Sequence, residues 1–182
     1  MPMRSMTMRV GFTLLAALSL MLATAPARAA KDDLSLQIII VTGESSRDSN
    51  STTKTLTVSG AQLEFKETYQ GAGAGRRKPV TKQFTLTSQD RSDLMALLTS
   101  KELSTNSSVS KPPLKDTNRY FQISINSTAA GQEHSVSIEA TPTSDLQADR
   151  VYQAGVRLIE RIYSIINRTE PDLRMPTLLA SN

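Results

Sequence analysis

Cysteine is absent from this chain of 182 residues. That removes disulfide scaffolds, thiol nucleophiles, thiolate metal sites and a lipid-modified N-terminal cysteine at once. Tryptophan is absent too, and aromatic residues make up 4% of the sequence. The core therefore has to be built from Leu, Ile and Val, with Phe65, Phe84 and Phe121 as its largest members. A single histidine, His134, is present. It stands in phase with Val136 and Ile138 on an alternating stretch, which reads as a half-buried strand residue. Ser-His-Asp catalysis would need a nucleophile and an orienting carboxylate beside it. A second His or Cys for zinc is lacking, and no loop carries the EF-hand spacing. The sequence thus assigns no catalytic residue, no metal and no cofactor.

The chain's positive charge is largely an attribute of its first residues. Arg4 and Arg9 precede the apolar run Val10–Ala23, Pro26 ends that run, and Ala27-Arg28-Ala29 offers small side chains at the two positions a signal peptidase pocket must accept. A charged start, a short apolar core and an A-x-A end read as a secretory signal over residues 1–29, cut after Ala29. The run is shorter than the ~20 residues of a comfortable membrane span. No stable span is expected after processing. Removing the leader takes three of the 21 basic residues and none of the 17 acidic ones, so the net charge falls from +4 to about +1. A nucleic-acid binder carries a clear basic excess, and the mature chain does not. Export of a cysteine-free domain points to a bacterial periplasm or the medium. Sequons start at Asn50, Asn106, Asn126 and Asn167, a chance outcome in a chain so rich in Ser and Thr.

Beyond the leader the chain reads as one α+β domain over residues 30–168, with a flexible C-terminal tail over 169–182. Leu34–Val41 begins by alternating and ends as a continuous apolar run, which predicts a central strand covered on both faces at its end. Residues 43–53 read as a loop, and residues 55–59 as a short strand. Gln62–Tyr69 and Val80–Leu86 alternate around a Gly-rich link, which predicts a hairpin. Thr87 with Asp90 resembles a capping box, and Leu94, Leu97 and Leu98 place a short helix after it. Residues 104–117 are Ser-rich and contain Pro112-Pro113, which predicts a loop. A second hairpin spans residues 120–140, with Phe121, Ile123, Ile125, Val136 and Ile138 inward. Ser144 and Gln147 then suggest a capping box for a longer helix, residues 145–167. Its stripe is Val151, Tyr152, Gly155, Leu158, Ile159, Ile162, Ile165 and Ile166. The expected architecture is an antiparallel sheet of about six strands in a β-β-ββα-ββα order, with two helices packed on one face.

Three short motifs bear on function. Ser108-Val109-Ser110-Lys111 matches S-x-x-K, but in penicillin-recognising enzymes that serine opens a helix, and the K-T-G and S-D-N partners are missing here. Gly71-Ala-Gly-Ala-Gly75 leads into a strand, whereas a dinucleotide fingerprint leads into a helix. Arg76, Arg77 and Lys78 at the tip of the first hairpin are the candidate contact for an anionic partner, either an envelope protein or an anionic envelope surface. These features imply a small, exported, non-catalytic binding or accessory protein of the bacterial envelope. The order of elements is similar to that of small bacterial metalloprotease inhibitors of the emfourin kind. That resemblance implies, as an alternative, an inhibitor of a secreted or periplasmic peptidase. A hydrolase using Asp, Glu or Ser without His or Cys is the third class, and it would require paired carboxylates meeting in a pocket.

The leader reading has a direct check. N-terminal sequencing of the native product is expected to begin at Ala30, in a periplasmic or culture fraction. A product beginning at Met1 in the cytosol would remove both the compartment and the charge correction.

Overall fold

The computed structural model describes residues 34–44, 50–72, 74–110, 119–141, 146 and 148–176. The leader with Ala27 and Ala29 lies outside the described residues, as do Lys111, Ser144 and Gln147. Among these described residues seven strands form one sheet: β1 Ser35–Glu44, β2 Ser51–Ser59, β3 Gln62–Gln70, β4 Val80–Thr85, β5 Ser107–Ser110, β6 Arg119–Ala129 and β7 Gln132–Ala140. Helix α1 spans Ser88–Leu98 and helix α2 spans Arg150–Ile166. The strand order is β4-β3-β2-β1-β6-β7-β5. All neighbours are antiparallel except β5 and β7. The architecture is α+β, as the alternation of apolar residues implies.

Alternation decides which face is covered. Leu36, Ile38 and Ile40 of β1 are buried with Leu56, Val58, Leu63, Phe65, Ile123, Ile125, Val136 and Ile138, in one cluster with the buried residues of both helices. The residues between them form the opposite face. Ile39 lies in a row with Thr55, Lys66 and Thr81 on one side and Ser124, Ser137 and Ser108 on the other. The run Ile38-Ile39-Ile40 was expected to be covered on both faces, but Ile39 and Val41 keep partial exposure. Their cross-strand neighbours are polar, Thr55 and Ser124 beside Ile39 and Thr53 and Gln122 beside Val41, so no second apolar layer has a surface to cover.

Helix α2 lies across the inner face. Tyr152 near its start packs on Phe121 with ring centroids 6.1 Å apart, and Tyr163 near its end meets Phe65 edge-on at 6.3 Å. Gly155 lets the helix come close between them. A Cβ there would sit 3.3 Å from Ile125 Cδ1 and 3.4 Å from Ile138 Cδ1. The buried phenols pay for this placement in hydrogen bonding, since neither hydroxyl has a partner among the described residues. Burial, with a smaller contribution from Glu160, pushes the Tyr152 phenol up to about 12.

The helix starts later than the Ser144–Gln147 spacing suggests. Asp149 is the N-cap, and its carboxylate accepts from the Tyr152 N–H at 3.0 Å. The expected loop over residues 43–53 is also shorter, because β1 continues to Glu44 and β2 begins at Ser51. Thr residues favour strands, and on an uncovered face they need no apolar alternation to stay there. The seventh strand, β5, falls inside the expected loop at 104–117. Only Val109 of its four residues is apolar, too little for a periodic signal. It is added at the far edge by parallel pairing with β7. Helix α1 thus carries the chain from one sheet edge, β4, to the other, β5.

Among the apolar residues of α1 only Leu94 and Leu98 are fully buried, so charge pairing does much to hold it. The capping box at Thr87 and Asp90 is present in both directions. Asp90 is 1% exposed. Its carboxylate accepts from the Thr87 backbone N–H at 3.0 Å and the Thr87 hydroxyl at 2.7 Å. It also accepts from Arg161 at 2.9 Å and Arg168 at 2.7 Å, and Arg161 reaches Asp93 as well, at 2.8 Å. One carboxylate therefore caps α1 and ties it to the end of α2.

The segment after α2, read from sequence as a flexible tail, makes defined contacts as far as Met175. Lys82 pairs with Glu170 at 2.8 Å, the Lys54 ammonium donates to the Arg174 carbonyl at 3.0 Å, and Leu173 and Met175 pack against the core. Residues 177–182 lie outside the described residues.

Burial pushes the Asp90 carboxyl up, but the hydrogen bonds from Arg168 and Thr87 and the Arg168 charge outweigh it and hold the group below its usual range. A depressed folded value contributes stability that is present above the unfolded value of about 3.9 and lost as pH falls through the folded one. Asp90→Ala is expected to cost about 2–3 kcal/mol, since it removes a cap and a buried anion whose two guanidinium partners are partly solvated. Asp90→Asn should flatten the loss of stability on the acid side of pH 4. Melting curves from pH 2 to 7 check both.

Candidate functional site

The cationic hairpin tip and a cleft beside it share a residue. The link from β3 to β4 contains a short 3-10 turn, Ala74–Arg76. It is closed by N–H donation from Ala74 to the Gly71 carbonyl and from Arg77 to the Ala74 carbonyl. The expected Gly-rich tip is therefore ordered around a turn on its described residues. Arg76, Arg77 and Lys78 are all exposed. They are not equivalent. Arg77 folds back over the Tyr69 ring, with its guanidinium carbon 5.2 Å from the centroid, a cation–π contact worth about 0.5–1 kcal/mol at an exposed site. Arg76 and Lys78 flank it in the link that leads into β4.

Arg77 then lines a cleft of about 620 Å³ together with Thr42, Asn50, Lys54, Glu67 and Arg119. The cleft lies where β1, β2, β3 and β6 run out on the helix-bearing face. Register explains its charge. Lys54 and Glu67 face each other in the Ile40 row, in phase with Leu56 and Phe65, so both side chains stand on the inner face. Each is 15% exposed, and the Lys54 ammonium is 3.9 Å from the Glu67 carboxylate. It is also 5.9 Å from the Phe65 ring centroid. Desolvation pulls the Lys54 ammonium below its usual value, and the Glu67 charge opposes that. Tyr69 moves the other way: burial raises it, the Glu67 charge and its hydrogen bond add to that, and Arg77 opposes them. A continuous polar chain runs from the Arg174 carbonyl through Lys54, Glu67 and Tyr69 to Arg77.

Beyond that chain the rim carries Glu44 and Arg119, cross-strand partners 3.7 Å apart and both well exposed. An exposed pair of this kind contributes at most about 1 kcal/mol. The neighbouring Tyr120 is the exposed large hydrophobic residue among those described. Its ring lies over Gly43, where a Cβ would come within 2.7 Å of it. In all, the cleft brings three cations and two acids together, and each acid is already engaged by a cation.

The other sequence candidates lie elsewhere. His134 is partly buried and lines a second cleft, of about 560 Å³, with Ser127, Ser135, Asn126 and Glu133. Its cross-strand partner is Ser127, while the Ser135 hydroxyl donates to Asn126 and the Ser135 N–H to Asn106. Ser108 sits in edge strand β5 and not at a helix start, which removes the geometric basis of the S-x-x-K match. No group of three His, Asp or Glu side chains among the described residues is placed to hold a metal. No helix among them is long and apolar enough to cross a membrane.

Lys54, Glu67 and Arg119 were not singled out by sequence reasoning. The first two carried a signal, because a charged residue in phase with the apolar positions of a strand marks a place where the core face ends or a buried pair forms. Arg119 carried the same signal, two residues ahead of Phe121 in the phase of Ile123 and Ile125. No protein-family model matches the chain, and no curated protein is detectably similar to it.

Lys54→Met keeps the aliphatic stem but removes the bond to the Arg174 carbonyl. The expected result is faster tryptic cleavage after Arg174 together with a melting temperature lowered by several °C, because the largely buried Glu67 carboxylate loses its cation as well. Timed proteolysis followed by mass spectrometry measures it. Unchanged cleavage would mean that the apolar contacts of Leu173 and Met175 hold the segment without Lys54.

Proposed function

We propose that the chain is an exported, non-catalytic binding or accessory protein of the bacterial envelope, and that it engages an anionic partner through the end of the sheet carrying Arg76, Arg77 and Lys78. The observation that carries this reading is the continuity of the tip with the cleft. Arg77 is held on Tyr69 and lines the cleft, so an anion meeting Arg76 and Lys78 also meets a concave surface with further cations at Lys54 and Arg119. From Thr68 to Gln89 the sequence contains four basic residues and no acidic one, although the mature chain as a whole is close to neutral. A locally concentrated field of this kind speeds encounter with an anion and fixes its orientation.

The acids of the cleft support binding over hydrolysis. Glu67 is engaged by Lys54 and Tyr69, and Glu44 by Arg119. General acid–base work needs a carboxyl group free to exchange a proton with a substrate.

Replacing Arg76, Arg77 and Lys78 together by Ser is expected to weaken retention on anionic vesicles or on an acidic envelope protein at least tenfold in low salt. The difference should shrink as salt rises towards 0.15 M, where screening acts over about 8 Å. Binding that ignores both the substitutions and the salt would end the reading. Capture of a peptidase from an envelope extract, with dose-dependent loss of its activity, would move the assignment to peptidase inhibition.

A further inference from the structure

The cationic tip leads directly into a sheet edge. Among the described residues strand β4 is the last in the sheet and pairs only with β3. Its hydrogen-bonding phase is set by the Leu86 N–H, which donates to the Ala61 carbonyl at 2.8 Å. In an antiparallel ladder, bonded pairs alternate with non-bonded ones. The register pairs Phe84 with Leu63, Lys82 with Phe65 and Val80 with Glu67, so these residues turn their backbone groups towards β3. Thr81, Gln83 and Thr85 then turn theirs outward, and all three are exposed.

Edge strands are commonly guarded by a proline or by charges within the strand. Here Pro79 precedes the strand and leaves all three outward N–H groups in place. The one charge inside β4, Lys82, is engaged by Glu170 at 2.8 Å. Val80 and Phe84 are partly buried and pack against the core from the inner side, so their outer flanks offer apolar contact to a neighbouring strand.

We infer that β4 is an acceptor for strand addition, and that its occupant is an extended acidic segment of a partner protein. The backbone of the segment would pair with Thr81, Gln83 and Thr85. Its apolar side chains would lie beside Val80 and Phe84, and its carboxylates would meet Arg76 and Lys78. Main-chain pairing gives such a complex its affinity, and side-chain pockets and charge give it selectivity. The inference rests on the anionic-partner reading and adds to it the form of the partner.

A synthetic peptide of alternating Val and Glu tests it, measured by fluorescence anisotropy against the chain as exported in low salt. It is expected to bind at least tenfold more tightly than the corresponding Val and Lys peptide. N-methylation of alternate residues should abolish binding in one of the two possible phases and spare it in the other, because only one set of amides faces β4. On the protein, Gln83→Pro removes an outward donor while leaving the β3 ladder intact, and it should weaken binding at least tenfold in a protein whose circular dichroism is unchanged. If Gln83→Pro does not fold, the methylated peptides decide alone. Equal binding by both methylated phases would overturn strand addition, and loss of that binding in Arg76→Ser/Lys78→Ser would show that the cationic tip still acts, as a charged surface. Peptide binding unaffected by Arg76→Ser/Lys78→Ser would overturn the charge reading as well.

Discussion

A chain with no disulfide and no tryptophan has to hold seven strands together by covering one apolar face, and α2 is the element that covers it. The helix can do so because its buried stripe is continuous from Tyr152 to Ile166 and because Gly155 lets it approach the branched side chains of Ile125 and Ile138. Everything else is placed relative to that contact. Tyr152 and Tyr163 anchor its two ends on Phe121 and Phe65. Arg161 and Arg168 extend from its far end to Asp90, so a helix with little apolar surface of its own is positioned by the one that has much.

Asp90 joins two levels of structure in one group. As the third residue of α1 it completes a local cap, and as a buried anion it collects two arginines from α2 and the turn after it. Neither role would hold it so firmly alone. Without the arginines a carboxylate this buried would be costly to ionise. Without the cap, α1 would have no fixed start from which to present it.

One-sided coverage also explains the distribution of polar groups. The face opposite the helices is mostly Thr, Ser, Gln and Asn with the charged Glu64, Lys66 and Glu139, and Ile39 and Val41 are apolar exceptions near its middle. On the covered face α2 does not reach the ends of β1, β2, β3 and β6, and there the core phase passes from Ile and Phe to Lys54 and Glu67. The C-terminal segment closes part of that gap through Leu173, Met175 and the Arg174 carbonyl, and the remainder is the charged cleft. Edge strand β4 stays open for a similar reason. Its covered flank is held by Val80 and Phe84, while the next position outward is occupied by no strand among the described residues.

Local pattern settled most of the architecture of this protein. Alternation marked both hairpins and chose their inner faces, the 3-and-4 spacing marked α2, and Thr87 with Asp90 marked the start of α1, because each of these is written in residues close together along the chain. Four apolar-poor residues could not announce β5, since a parallel edge strand is defined by the neighbour that accepts it. The same limit applies to the site. Arg76, Arg77 and Lys78 were visible as a run of charge, but only the fold separates Arg77, bound back on Tyr69, from its two neighbours and joins it to Lys54, Glu67 and Arg119. Strand order alone left β4 without an outer neighbour. Composition and periodicity act within a turn or a strand, whereas pairing across the sheet depends on which distant segments meet, and that was decided by tertiary structure.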